Sequence, residues 1–204
     1  MTAKLSATGL TLFRGDRCLF EDVGFALDAG QLLLLEGPNG SGKTSLLKAI
    51  VGMLELEAGA VYWDGDPVLE QRQLFHGSLA WMAHRVGFKA DLTLVENLRF
   101  EAVLRPQVAV DIDDILERVD VARLKRLPMR SLSAGQQRRV ALARMLLADV
   151  PLWLMDEPYT NLDREGSTLV AGVVNEHLAG GGLCVMAAHQ DVDIDAPVQK
   201  VILR

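Results

Sequence analysis

The segment Gly37-Pro38-Asn39-Gly40-Ser41-Gly42-Lys43-Thr44 confines the chain to one local architecture, a strand running into a glycine-rich turn and a helix opening on Lys43. The flanks agree. Leu32 to Leu35 is a short apolar run suited to a buried parallel strand, and Ser45 to Val51 reads as the helix. Gly37, Gly40 and Gly42 admit backbone conformations closed to bulkier residues and let main-chain N–H groups approach phosphate oxygens, while the helix N-terminus adds favourable partial charge. In that frame Lys43 reaches β- and γ-phosphates and the Thr44 hydroxyl is a ligand for Mg²⁺. Pro38, Asn39, Ser41 and Ser45 complete the candidate phosphate-binding set.

A second signal is the apolar run Leu152 to Met155 ending in Asp156-Glu157. It predicts a carboxylate at the carboxyl end of a core strand, where open α/β sheets bind ligands. Asp156 is the candidate Mg²⁺ partner, directly or through water, and Glu157 a candidate general base or orienter for an attacking water. His189 follows the run Leu183 to Ala188, where it is either incidental or in reach of a γ-phosphate. Leu132-Ser133-Ala134-Gly135-Gln136 opens a helical run, Gln136 to Leu147, and by itself reads as a helix N-cap.

The rest of the chain sets limits. Its 204 residues suit one compact domain. A net charge of −6, with no block of lysines or arginines, argues against a nucleic-acid surface and against adhesion to anionic lipid by charge alone. The longest apolar stretch, Val140 to Met155, is broken by Arg144, Asp149 and Pro151, and Met1-Thr2-Ala3-Lys4 opens no signal-peptide core. The expectation is a cytoplasmic protein attached to any membrane through a protein partner. Cys18 and Cys184 stand alone and read as reduced thiols.

Leu5 to Phe13, Leu19 to Leu27 and Ala60 to Trp63 read as strands of a small antiparallel layer beside the phosphate-loop strand. Between Thr93 and Leu147 the pattern turns helical: Ile112, Ile115, Leu116 and Val119 form one stripe behind Asp111 as N-cap. Glu165 to Leu178 reads as an amphipathic helix and Leu183 to Ala187 as a further strand, with His177 at the helix end and His76 in a surface loop. The fold class is therefore α/β, with a helical insertion at about residues 84–147 of a single 1–204 domain.

The phosphate loop, Leu-Ser-Ala-Gly-Gln, Asp156-Glu157, Asn161-Leu162-Asp163 and His189, in this order and over nearly the whole chain, resemble the nucleotide-binding subunits of ABC transporters. The resemblance implies a phosphate-loop ATPase that uses ATP and Mg²⁺. It also implies that Ser133, Gly135 and Gln136 contact ATP bound to the phosphate loop of a second copy, with Asp163 at the seam of that dimer. Ala83-His84-Arg85-Val86-Gly87-Phe88-Lys89 and Leu92-Thr93-Leu94-Val95-Glu96-Asn97-Leu98, together with Leu132-Ser133-Ala134-Gly135-Gln136-Gln137-Arg138-Arg139-Val140-Ala141-Leu142-Ala143-Arg144, are similar to the ATP-binding subunits of haem-export systems for cytochrome c maturation. That likeness implies integral membrane subunits of the same system as partners, at the cytoplasmic face of a bacterial inner membrane. His84 stands where the wider family has a glutamine, so His84 joins Glu157 and His189 as a candidate catalytic residue, in a coupling role. Arg14 stands where an aromatic residue stacks on adenine, with Phe13 one position off. Two other readings remain: the ATPase of a lipoprotein-release or drug-efflux exporter, and a soluble ATPase of the same type acting on DNA or the ribosome.

Overall fold

The computed structural model describes residues 4–104, 111–189 and 192–204. In chain order its elements are β1 Leu5–Arg14, β2 Arg17–Leu27, β3 Leu32–Glu36, α1 Lys43–Ile50, β4 Ala58–Trp63, β5 Asp66–Pro67, α2 Arg72–Gly77, β6 Leu79–Met82 and α3 Leu94–Val103. They continue with α4 Ile112–Arg118, α5 Ala134–Ala148, β7 Leu152–Asp156, α6 Arg164–Ala179, β8 Leu183–Ala187 and β9 Val198–Ile202. Two sheets result, an antiparallel one ordered β2-β1-β4-β5 and a parallel one ordered β6-β7-β8-β3-β9.

The parallel sheet is the middle layer, and side-chain alternation along each strand divides two cores. Leu32, Leu34, Trp153, Met155, Cys184 and Met186 face one side, where they pack with α5 and α6 and with the stripe Ile115, Leu116 and Val119. Leu33, Leu35, Leu152, Leu154, Leu183 and Val185 face the other, against α1 and the antiparallel layer. A strand covered on both faces needs apolar residues at every position, which is why β3, β7 and β8 are continuous apolar runs.

Local chemistry starts the helices where the sequence predicts. Asp111 accepts from the Asp113 N–H at the head of α4, and Thr93 with Glu96 forms a capping box on α3. Four elements escape the sequence reading, the two-residue β5 among them. Strand β6 is four residues long and follows a helix of under two turns, so neither shows a full period. Strand β9 is an edge, largely exposed, and Val198-Gln199-Lys200-Val201-Ile202 carries no apolar run.

Of two further histidines, one differs from expectation, and the other, His177, lies in the last turn of α6 as expected. His76 lies on α2, not in a loop, and its Nε2 is 2.9 Å from the Val51 carbonyl. His177 is half-buried: its ring stacks on Trp153 at 3.9 Å between centroids and 5° between planes, and burial holds its pKa below the ordinary value. Gly182 closes over the same ring, where a Cβ would lie 2.3 Å from Cε1 and Nε2. The imidazole cannot swing away, because Trp153 stacks on it and the Leu183 carbonyl is 3.2 Å from Nε2. Gly182→Ala is expected to lower Tm by about 3–10 °C through overpacking. An unchanged thermal melt would show that the ring repacks freely.

Candidate functional site

The phosphate loop has the backbone its glycines predict. Gly37 and Gly42 adopt φ of 146° and 103°, and a Cβ on Gly37 would meet the Leu203 carbonyl at 2.4 Å. Lys43 is nearly buried and folds back over the loop, with Nζ donating to the Gly37 carbonyl at 2.7 Å and to that of Pro38 at 3.2 Å. Ser41 is buried too, and its hydroxyl finds no hydrogen-bond partner. An orphaned buried hydroxyl beside a helix start that no side chain caps fits an anion with several acceptor oxygens.

Strand β7 delivers the carboxylates to the same place. The Thr44 hydroxyl donates to Asp156, at 2.9 and 3.1 Å to its two oxygens. Glu157 leaves the strand at a φ of 54°, uncommon for a side chain of this size. Its N–H donates to the Ala187 carbonyl at 2.9 Å. Its carboxylate lies between Lys43 Nζ at 3.9 Å and His189 Nδ1 at 2.6 Å. His189 is therefore more than a bystander on the strand end: its imidazole touches the carboxylate beside the phosphate loop. Asn39, Ser45, His84 and Thr160 also line the cleft, which has a volume of about 540 Å³. Arg14 and Leu19 line it and Phe13 does not, so no aromatic residue stands on the wall where one was sought.

Hard oxygen donors suit Mg²⁺. Thr44 and Asp156 offer such a pair, and among the described residues no cluster of three or more His, Cys, Asp or Glu side chains stands in a metal-binding arrangement. This donor set fits a cation that takes its remaining ligands from phosphates and water.

Ser133, Gly135, Gln136 and Asp163 gather in a different cleft of about 560 Å³, which shares no lining residue with the first. Ser133 caps α5: its hydroxyl accepts from the Gln136 N–H at 3.2 Å, and Gln136 Oε1 accepts from the Ser133 N–H at 2.9 Å. Gly135 is required by packing, since a Cβ there would stand 2.8 Å from the Asn161 carbonyl. Asp163 caps α6 through the Gly166 N–H at 2.8 Å and lies 3.8 Å from Arg139. A third groove, about 350 Å³, runs past Val86, Phe88, Met129 and Gln137. His84 lines both this groove and the phosphate-loop cleft.

The sequence reading gave Arg138 and Thr160 no role. Thr160, on the loop after β7, carries no signal of its own. Arg138 carries one: with Ala141, Met145 and Ala148 it falls on the buried stripe of α5. Arg138 is only 4% exposed. Burial lowers its pKa, against the opposing influence of Asp156 and Glu157, and it donates to main-chain carbonyls at the ends of β6 and β7.

A phosphate loop facing strand-end carboxylates, on a parallel sheet backed by an antiparallel layer, defines a phosphate-loop nucleoside triphosphatase. The sequence pattern of the ABC transporter family matches residues 20–160. The chain is 44% identical over 194 residues to the cytochrome c biogenesis ATP-binding export protein CcmA of Methylococcus capsulatus, covering 94% of each. It is 40% identical over 200 residues to the protein of the same name in Vibrio cholerae, covering 97% of each. A putative ABC transporter ATP-binding protein from Pyrococcus furiosus superposes with a TM-score of 0.84 at 26% identity, over 98% of this chain and 96% of that one. The chain belongs to the ABC transporter family, among the cytochrome c biogenesis ATP-binding export proteins. As in that family, it is an ATP-binding subunit, and among its described residues no helix is long and apolar enough to cross a membrane.

Proposed function

We propose that this chain, as a single ABC ATPase domain, hydrolyses ATP to drive haem export, or release of a haem-loaded chaperone, during c-type cytochrome maturation. It works at the cytoplasmic face of the bacterial inner membrane, held there by integral membrane subunits of that system. The observation that carries the hydrolytic part is the meeting of Lys43, Thr44, Asp156, Glu157 and His189 around one loop. The near end-to-end likeness to cytochrome c biogenesis proteins supports the rest.

In this reading the loop N–H groups and the Ser41 hydroxyl bind the phosphate oxygens, and Lys43 exchanges its carbonyl partners for the β- and γ-phosphates. Thr44 and Asp156 hold Mg²⁺, which supplies charge neutralisation on the phosphates. Glu157 orients the attacking water and accepts its proton as the bond from phosphorus to the ADP oxygen breaks. His189 fixes the other carboxylate oxygen. Ser133, Gly135, Gln136 and Asp163 act on the nucleotide of a second copy, so two chains enclose two ATP molecules. That assignment is what the likeness to ABC transporter subunits implies, and it is supported by the separate cleft these residues occupy, apart from their own phosphate loop.

His84 joins the ATP site to the groove at the edge of α5, and that groove is where a membrane subunit docks in this proposal. In cells whose own copy is deleted, His84→Ala is expected to keep ATP affinity within about threefold and to lose most holocytochrome c. Haem staining of membrane fractions, with co-purification of the membrane subunits from detergent, measures both parts. Normal holocytochrome in this mutant makes His84 a surface histidine only. Normal holocytochrome in the deletion strain itself overturns the function.

A further inference from the structure

Arg138 lies in the second turn of α5, on its buried stripe. A guanidinium removed from water must satisfy its donors within the protein or be costly, and here the partners are four main-chain carbonyls. Nη1 donates to Ala83 at 3.1 Å and to His84 at 3.4 Å; Nη2 donates to Asp156 at 3.3 Å and also to Glu157. These carbonyls sit where β6 and β7 part. The two strands pair as far as Met82 and Met155, after which one chain turns toward the groove at His84 and the other into the cleft at Glu157. The planar fork of arginine spans both ends, which a point charge cannot do.

Glu157 needs such support. It is held in a left-handed conformation that a large side chain adopts only when its surroundings impose it. Its N–H is anchored on Ala187 and its carbonyl on Arg138, so the peptide is gripped from both sides and the carboxylate is aimed between Lys43 and His189. The His84 carbonyl shares the same guanidinium. The next residue, Arg139, pairs with Asp120 at 2.6 Å and faces Asp163. The start of α5 is thereby tied to both clefts.

We infer that Arg138 is a positioning residue: it locks Glu157 in its water-handling geometry and links that residue to the His84 segment, so that a shift of α5 moves both together. This rests on the reading of Glu157 given above. The test is steady-state ATP hydrolysis by the purified full chain carrying Arg138→Gln or Arg138→Lys, with thermal melts to establish folding. Glutamine reaches one strand end at most, and kcat is expected to fall at least about tenfold while KM for ATP stays within about threefold. Lysine restores a charge without the fork, and its kcat is expected to lie between the two at unchanged KM. A folded variant with kcat within about twofold of wild type, or a loss confined to KM, overturns the inference; if the glutamine variant does not fold, the lysine variant decides on the same terms. Glu157→Gln is assayed alongside. Turnover by that mutant means the reading of Glu157 has failed, whereas its silence together with normal turnover by Arg138→Gln means that only the role of Arg138 has.

Discussion

Glu157→Gln is expected to bind ATP as tightly as wild type and to hydrolyse it about 10²–10⁴-fold more slowly, the range over which a positioned general base accelerates proton transfer. The substitution keeps size and shape and removes only the negative charge and the proton-accepting oxygen. Ground-state binding does not depend on that carboxylate: Lys43 Nζ is 3.9 Å away and spends its shorter bonds on Gly37 and Pro38, and Thr44 bonds Asp156 instead. Losing a carboxylate beside the phosphates also removes a repulsion. ATP should therefore accumulate unhydrolysed and hold two chains together, and adding Ser133→Arg should separate them by thrusting a long side chain from the α5 cap at the partner's nucleotide. Phosphate release measures the first effect, and light scattering with and without ATP the second. Appreciable turnover by Glu157→Gln would remove Glu157 from the mechanism, and a monomer under every condition, membrane partners included, would remove the sandwich.

Lys43→Ala is expected to weaken ATP binding by about 3 kcal/mol, the scale of one or two charge-assisted hydrogen bonds, or more than about a hundredfold in Kd. Lys43 has a second role in the structure that works in the same direction. Nearly buried, it ties together the carbonyls of Gly37 and Pro38, so its removal also loosens the turn whose N–H groups bind phosphate. Because Thr44, Asp156 and Glu157 stay in place, the loss should appear in affinity before it appears in any later step. Calorimetric titration with a non-hydrolysable ATP analogue gives the number directly, and equal binding by mutant and wild type would end the phosphate-loop assignment.

Much of the site was legible because the informative residues carry their constraint locally. Gly37 and Gly42 must be glycine to make the turn, and Asp156 ends an apolar run that can only be a covered strand. Ser133 is recognisable as a helix cap by residue type alone. Other residues gave less away. Arg138, between Gln137 and Arg139, looks like one more polar position on a helix until the phase of α5 is traced, and even then its partners are carbonyls, which every residue has. Gly135 sits in a recognisable motif, but the Asn161 carbonyl that excludes a side chain there comes from a loop 26 residues away in sequence. Strands β6 and β9 owe their existence to neighbours: one is too short to show a period, and the other pairs only because β3 offers it a free edge.

Chain chemistry that acts over a few residues, such as glycine backbone freedom, helix caps and strand alternation, thus determined the phosphate loop, the α/β class and the identity of Lys43, Thr44, Asp156 and Glu157. Tertiary structure alone decided which of these groups meet. It set the His189 imidazole on the Glu157 carboxylate, put Ser133 and Asp163 in a cleft apart from the phosphate loop, and buried Arg138 across the ends of two strands. The reason is physical: a hydrogen bond between residues far apart in sequence depends on the packing of whole layers, and neither partner's local sequence records the distance between them.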